Sequence, residues 1–466
     1  MIHSIFSKES FLRWVILGFA VFLTLEIIYF RYSQAQTSFT PTYLQTLTEA
    51  DQLYLDGNVE AAEQLYRQVK QPFPEESNSV DDEIITDPEQ LSGANGVYWR
   101  EAQRGWERKL EGATLVPLRL LVEKQPNFLP AHTLLIKALR EFGQEEEVLP
   151  TIETAVSQFP ESPDLTRLQA EALADDNQYL EASIAARQFA IVYPNHPDAP
   201  EFAELADDYF GRFRRDLETE LIAAGIINVV VGGGDQAIQL APLLLQGESG
   251  MGMRLASAEL ANRRVVNDPD IQEYVNSIGQ PLAELMGRND FEYEFFVIED
   301  SSLNAFAYPG GKIFINTGSL MAIDSEAEFA GLLGHEIAHS VLSHGFQKVV
   351  QANLLASLGQ TIPLGNLLNL AVLENSRRKE QQSDIVGTRA IATAGYAADG
   401  LHTFMTKLRD RGRSSTPEYL SSHPVPEDRV RYLQELIQQN GYNRYSFEGI
   451  ERHALVKQRL QDLGVS

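Results

Sequence analysis

Three apolar patterns succeed one another along the chain. The first is a run at residues 14–25, continued after Glu26 by Ile27-Ile28-Tyr29-Phe30 and preceded by Lys8 and Arg13. Read as a span, it is near the ~17-residue lower limit, and its Glu26 must lie near an interface or be protonated. Read as a cleavable signal, it has an apolar core and small residues at Ser33 and Ala35. The aromatic flank Tyr29-Phe30-Arg31-Tyr32 favours a retained anchor. The second pattern is broken: residues 221–245 are apolar but interrupted by Asn228, Gly232-Gly233-Gly234 and Asp235, too often for a span, and predict an amphipathic helix packed against the domain downstream. The third pattern is mixed. A helix through Tyr274, Ile278, Leu282 and Leu285 precedes a strand at 291–298, where Phe291, Tyr293, Phe295 and Val297 alternate. A hairpin comes next, with strands near 305–308 and 312–316 around Pro309-Gly310-Gly311. Ser325-Glu326-Ala327-Glu328 is a capping box, opening a helix through Phe329, Leu332, Leu333 and Ile337 that should stop near Gly345.

Between the first two patterns the chain repeats. Pro126, Pro160 and Pro194 recur every 34 residues, the period of a tetratricopeptide helix pair. Alignment of the last two units puts Leu134 over Leu168, Ala138 over Ala172, Gly143 over Asn177 and Phe159-Pro160 over Tyr193-Pro194. These are positions where paired helices pack. Residues 50–66 resemble the same unit, separated from the rest by an acidic loop at about 72–96, whereas 98–124 is helical but fits the repeat poorly. A plain helical bundle is the alternative.

The 466 residues carry 65 acidic and 38 basic side chains, a formal charge of -27, which repels a phosphate backbone and argues against a nucleic-acid partner. The chain has no cysteine, so disulfides, thiolate sites and cysteine nucleophiles are excluded, and any transition-metal site must use His, Asp and Glu.

His335-Glu336-Ile337-Ala338-His339 meets that requirement. Residues four apart on a helix lie about 40° round from each other, so both imidazoles can face one ion. Glu336, about 100° from His335, suits a general base acting on a metal-activated water. The motif is short enough to arise by chance, but a second helix, residues 376–394, carries Glu380 and Asp384 again four apart. Glu380 offers the carboxylate for a third ligand, leaving one position open, and Asp384 can hold the outer nitrogen of a ligand histidine. His344 falls about 180° from His335 on an unbroken helix, so it reads as a packing or helix-end residue. His423, held out of helix by Pro424, can be aimed from a loop.

Together these residues resemble the HtpX, BepA and CaaX-prenyl-endopeptidase family of membrane-associated zinc peptidases. The resemblance covers about residues 267–436 and rests on Asn304-Ala305-Phe306-Ala307-Tyr308-Pro309-Gly310-Gly311, the His335 to His339 motif, residues 376–384, and His423-Pro424 followed by Arg429. It implies zinc ligation by His335, His339 and Glu380, with Glu336 as base. It also implies an outer role for Asp384, and Arg429 with His423 lining the site, His423 either blocking or assisting the metal. Asn304, Ala305, Phe306 and Ala307 would contact substrate as an edge strand, Asn304 equally serving as a turn cap. Ser383 stands where the family usually has alanine, and the repeats precede the peptidase domain rather than follow it. Residues 354–373, broken by Gly359, Pro363 and Gly365, occupy a region where relatives have membrane helices or a covering loop, and predict a mobile helix-loop gating the cleft.

The expectation is therefore an α+β chain: a membrane anchor or signal at 1–35, a tetratricopeptide-like helical solenoid at 40–215, an apolar helical connector at 216–266, a zincin-like metallopeptidase domain at 267–440 and a helical tail at 441–466. Its expected function is a zinc endopeptidase of the bacterial envelope, one Zn2+ per chain, acting on protein or peptide substrates in quality control and meeting protein partners through the repeats. A repeat-based adaptor with a silent peptidase domain is the alternative, and a hydrolase of small amides is a further one.

Overall fold

The computed structural model describes residues 41–73, 84–223, 237–239, 246–351, 361–363, 377–412, 419, 423 and 427–465. The segment at 1–35 and most of the stretch 354–373 lie outside them. Among the described residues, no helix is long and apolar enough to cross a membrane.

The second half is organised by the helix Glu326–Val341, every residue of which is buried. Ser325 starts it by accepting a hydrogen bond from Glu328 N at 3.1 Å. A helix buried all round needs apolar neighbours on every side. Here those are the helices Pro269–Met286, Arg377–Thr393 and Gly400–Gly412, and a small sheet. Packing is closest where glycines meet. A Cβ on Gly387 would stand 3.0 Å from both Gly334 C and His335 N, and one on Gly400 would stand 2.0 Å from Ala327 O. The two helices carrying the candidate ligands therefore touch backbone to backbone.

The sheet has three strands in the order β2 (Glu294–Ile298), β4 (Lys312–Asn316), β3 (Ala305–Tyr308). β2 runs parallel to β4 and β3 antiparallel to it, with Ala305 opposite Ile315. The hairpin strands match the expected ranges, and Gly310 and Gly311 supply the left-handed turn at φ 71° and 83°. β2 begins three residues later than the alternation predicts. The helix Gly247–Leu260 backs the turn so tightly that a Cβ on Gly252 would stand 1.7 Å from Pro309 O. A separate pairing joins β1 (Ala237–Gln239) to β5 (Thr361–Pro363), linking the connector to the middle of the stretch expected to gate the cleft.

The residues beyond 440 are not a tail. The helix Ile450–Asp462 places Val456 and Leu460 in the main core, and buried His453 accepts at Nδ1 from Tyr274 Oη–H at 2.7 Å while its Nε2–H faces the Leu320 and Ile323 carbonyls. Its apolar positions are few enough to look like a surface helix in sequence.

The range 40–215 holds two helical pieces. Helices from Gly93–Glu107 to Ala199–Ala223 each pack on the next. Left-handed residues recur at Lys109, Gly143 and Asn177 (φ 53°, 70° and 59°), every 34 residues. The segment 98–124, a poor sequence match, thus takes the same turn as the others. The pair Pro41–Leu55 and Val59–Val69 packs instead on Tyr445 and Ile450 at the far end of the chain. Lys70, at its end, is buried between Asp399 Oδ1 (2.6 Å) and Glu448 Oε1 (2.5 Å).

Candidate metal centre and active site

His335 and His339 project from the central helix toward Glu380 on the helix Arg377–Thr393, and His423 reaches the same point from the segment following Tyr419. One donor atom from each of the four lies within 4.8 Å of the others. The two Nε2 atoms of His335 and His339 are 3.0 Å apart, and each is 3.4 Å from an oxygen of Glu380. His423 Nδ1 is 3.1 Å from Glu380 Oε1 and 3.4 Å from His335 Nε2. Tyr419 stacks on the His423 ring with centroids 4.4 Å apart, and its backbone N–H donates to Leu303 O, tying this segment to the approach to β3.

Around these donors is a ring of oriented groups. Asp384 Oδ1 is 2.9 Å from His335 Nδ1. Arg429 donates to both Asp384 oxygens (2.7 and 2.8 Å) and to Glu380 Oε2 (2.6 Å). Asn304 uses its carbonyl to accept from Asn316 N–H and Ser319 Oγ–H, which anchors the entry to β3. Ala305 is buried in that strand, while Phe306 and Ala307 are half-buried.

The electrostatics differ from group to group: burial drives His339 well below its ordinary value. Burial acts to lower the His335 pKa, but hydrogen bonds to Asp384 and Glu380 outweigh it and push the group up to about 9. Burial acts to raise Glu380, yet the charges of His423 and Arg429 hold it well below the usual carboxylate range. Glu336 is raised by burial, against the opposing influence of His423 and His335, and neither of its oxygens closes a hydrogen bond of normal geometry among the described residues. Its described ionic neighbour is His423, whose Nε2 stands 3.6 Å from Glu336 Oε1.

His344 departs from its expected place. It offers no atom to the donor cluster, as expected, but it is not mere packing: its Nδ1 is 2.9 Å from His339 Nδ1 and its Nε2 is 3.1 Å from Gln382 Oε1. The helix is broken just before it by Ser343 at φ 60°, which swings His344 back toward His339. The angular argument assumed an unbroken helix, and a serine in the left-handed region has no clear sequence signal.

A motif helix and a glutamate-bearing helix crossing beside a small mixed sheet are consistent with a zincin-like metallopeptidase domain. Residues 269–437 match Peptidase family M48. The chain is 29% identical over 201 residues to the putative beta-barrel assembly-enhancing protease of Vibrio cholerae, covering 38% of this chain and 41% of that protein. It is 26% identical over 252 residues to the beta-barrel assembly-enhancing protease of Escherichia coli, covering 47% and 52%. It is 27% identical over 259 residues to the mitochondrial metalloendopeptidase OMA1 of Arabidopsis thaliana, covering 53% of each. The chain spans about half the length of the curated relatives it matches. The likeness to the M48 metallopeptidases is thus carried by residues 269–437.

Proposed function

We propose that the chain is a zinc-dependent endopeptidase of the cell envelope that hydrolyses protein substrates in quality control. The observation carrying this reading is the convergence of His335, His339 and Glu380 beside a buried Glu336. Two imidazole nitrogens and a carboxylate oxygen fit zinc. One Zn2+ held by His335, His339 and Glu380 would supply the charge that polarises a scissile carbonyl and acidifies water. Glu336 then accepts the water's proton and passes it to the leaving amine. Asp384 fixes the His335 ring through Nδ1, and Arg429 neutralises the two carboxylates.

Substrate placement falls to β3. As the edge of the sheet it can take an extended peptide as a further strand, with Asn304, Ala305, Phe306 and Ala307 contributing contacts. His423 shares the donor set, so the described arrangement reads as a latent one in which a fourth protein group covers the position catalysis needs. Substrate entry then requires His423 to withdraw.

The 34-residue recurrence of left-handed turns supports a tetratricopeptide-type array, which would recruit protein clients or partner subunits, while residues 1–35 would hold the chain at a membrane. The relatives' names, protease and metalloendopeptidase, support the peptidase assignment.

The test is zinc analysis together with cleavage of an unfolded protein by the wild type and by Glu336→Gln. We expect about one zinc per chain in both, and a rate at least about 10³-fold lower in the variant. Retained cleavage in the variant would overturn the base role. A wild type with neither zinc nor cleavage would favour the adaptor reading instead.

A further inference from the structure

Five groups form a closed hydrogen-bonded path that leaves the motif helix at His339 and returns to it at Leu342. His339 Nδ1 meets His344 Nδ1 at 2.9 Å, and His344 Nε2 meets Gln382 Oε1 at 3.1 Å. Gln382 Nε2 donates to Gln188 Oε1 at 3.2 Å, and Gln188 Nε2 donates to Leu342 O at 3.1 Å. Gln188 lies on Tyr179–Val192, a helix of the repeating array, and is 6% exposed. The path therefore crosses from the array to the catalytic domain and back.

The proton positions are fixed by its last member. A backbone carbonyl only accepts, so the group of Gln188 facing Leu342 must be its amide nitrogen, and its oxygen must face Gln382. That oxygen needs a donor, so Gln382 presents its own nitrogen there and turns its oxygen to His344. His344 then carries its proton on Nε2 and leaves Nδ1 bare to accept. Ser383 Oγ, 3.4 Å from the same Nδ1, can donate to it as well. His339 must accordingly carry its proton on Nδ1, which leaves Nε2 with a lone pair facing the donor cluster. The side chain of Gln188 thereby decides which nitrogen of His339 faces the other donors.

We propose that Gln188 is a positioning residue for His339, acting through Gln382 and His344, so that docking of the helical array sets the metal affinity of the catalytic domain. This rests on His339 being a zinc ligand. His335 draws the equivalent orientation from Asp384 inside its own domain, whereas His339 draws it from a separate helical unit.

The experiment uses the full chain and measures zinc dissociation by competition with a chromophoric chelator, together with the visible spectrum of the Co2+-loaded protein. Gln188→Met keeps side-chain length and removes the amide. It should weaken zinc binding about tenfold and shift the Co2+ bands. Gln382→Met breaks the same path from the other side and should give the same loss, with the double variant no worse than either single one. Gln169→Met is the control, since Gln169 joins the array to Arg378 at 3.3 Å outside the path, and it should leave zinc affinity within about twofold of the wild type. Unchanged affinity in Gln188→Met, losses that add in the double variant, or an equal loss in Gln169→Met would each overturn the relay. A wild type that binds no zinc would sink the metal reading and the relay together, which separates the two failures.

Discussion

Ion pairs hold both halves of the molecule, but in opposite surroundings. Along the array, Lys109–Glu141, Arg119–Glu147 and Arg167–Glu201 link successive helix pairs with side chains that stay between a third and three quarters exposed. In the catalytic half, Lys70 with Asp399 and Glu448, and Arg429 with Glu380 and Asp384, are all at most 10% exposed. Exposed pairs are screened and contribute little, whereas a buried charge that loses its partner costs several kcal/mol. The array can thus tolerate sequence change along its links, while the catalytic half depends on these buried charges being met.

The sharpest way to break this contrast is Lys70→Met, which leaves Glu448 and Asp399 buried without the cation between them. Urea denaturation should show a loss of about 3–5 kcal/mol, and a loss below about 1 kcal/mol would mean the site is wetter than its burial indicates. Next in size is the response to acid. Burial holds the His453 pKa down to about 4, below the ordinary histidine value of 6.5, so the unfolded chain binds the extra proton first. Stability from this group is full above pH 6.5 and is lost as pH falls toward 4. Between pH 7 and 4.5 the wild type should lose about 2 kcal/mol more than His453→Gln, measured as paired denaturation curves. Equal pH slopes in the two proteins would remove His453 from the account. The smallest effect is expected of Arg119→Ala, under about 1 kcal/mol by the same titration, and a larger loss would show that exposed array pairs act as a network.

Much of the site was legible because helical spacing is local. Four-residue separations on two helices identify His335, His339, Glu380 and Asp384, and the structure brings all four to one place. The hairpin was legible because glycine marks the turn that only it makes cheaply. What was not legible depends on long-range docking. Gln188 and Gln382 are ordinary polar residues in sequence, and nothing local says that a glutamine of the array will face one on the ligand helix. Lys70 looks like a helix-end lysine until Asp399 and Glu448 close over it from more than three hundred residues away. His344 keeps out of the donor cluster as its spacing indicates, but the left-handed serine that turns it back toward His339 has no local signature.

The glycine contact between the two helices that bear the candidate ligands has a consequence for their spacing. Because Gly334 and Gly387 meet without an intervening side chain, the spacing between the histidine-bearing and glutamate-bearing helices is set by rigid main chain, as the jaws of a caliper are set by their frame. Side chains relax to fit an ion; abutting backbones do not. The gauge of the opening is therefore written chiefly in one absent methyl group, at Gly387, where a Cβ would meet Gly334 C and His335 N at 3.0 Å, whereas one at Gly334 would meet Gly387 O at an ordinary 3.4 Å.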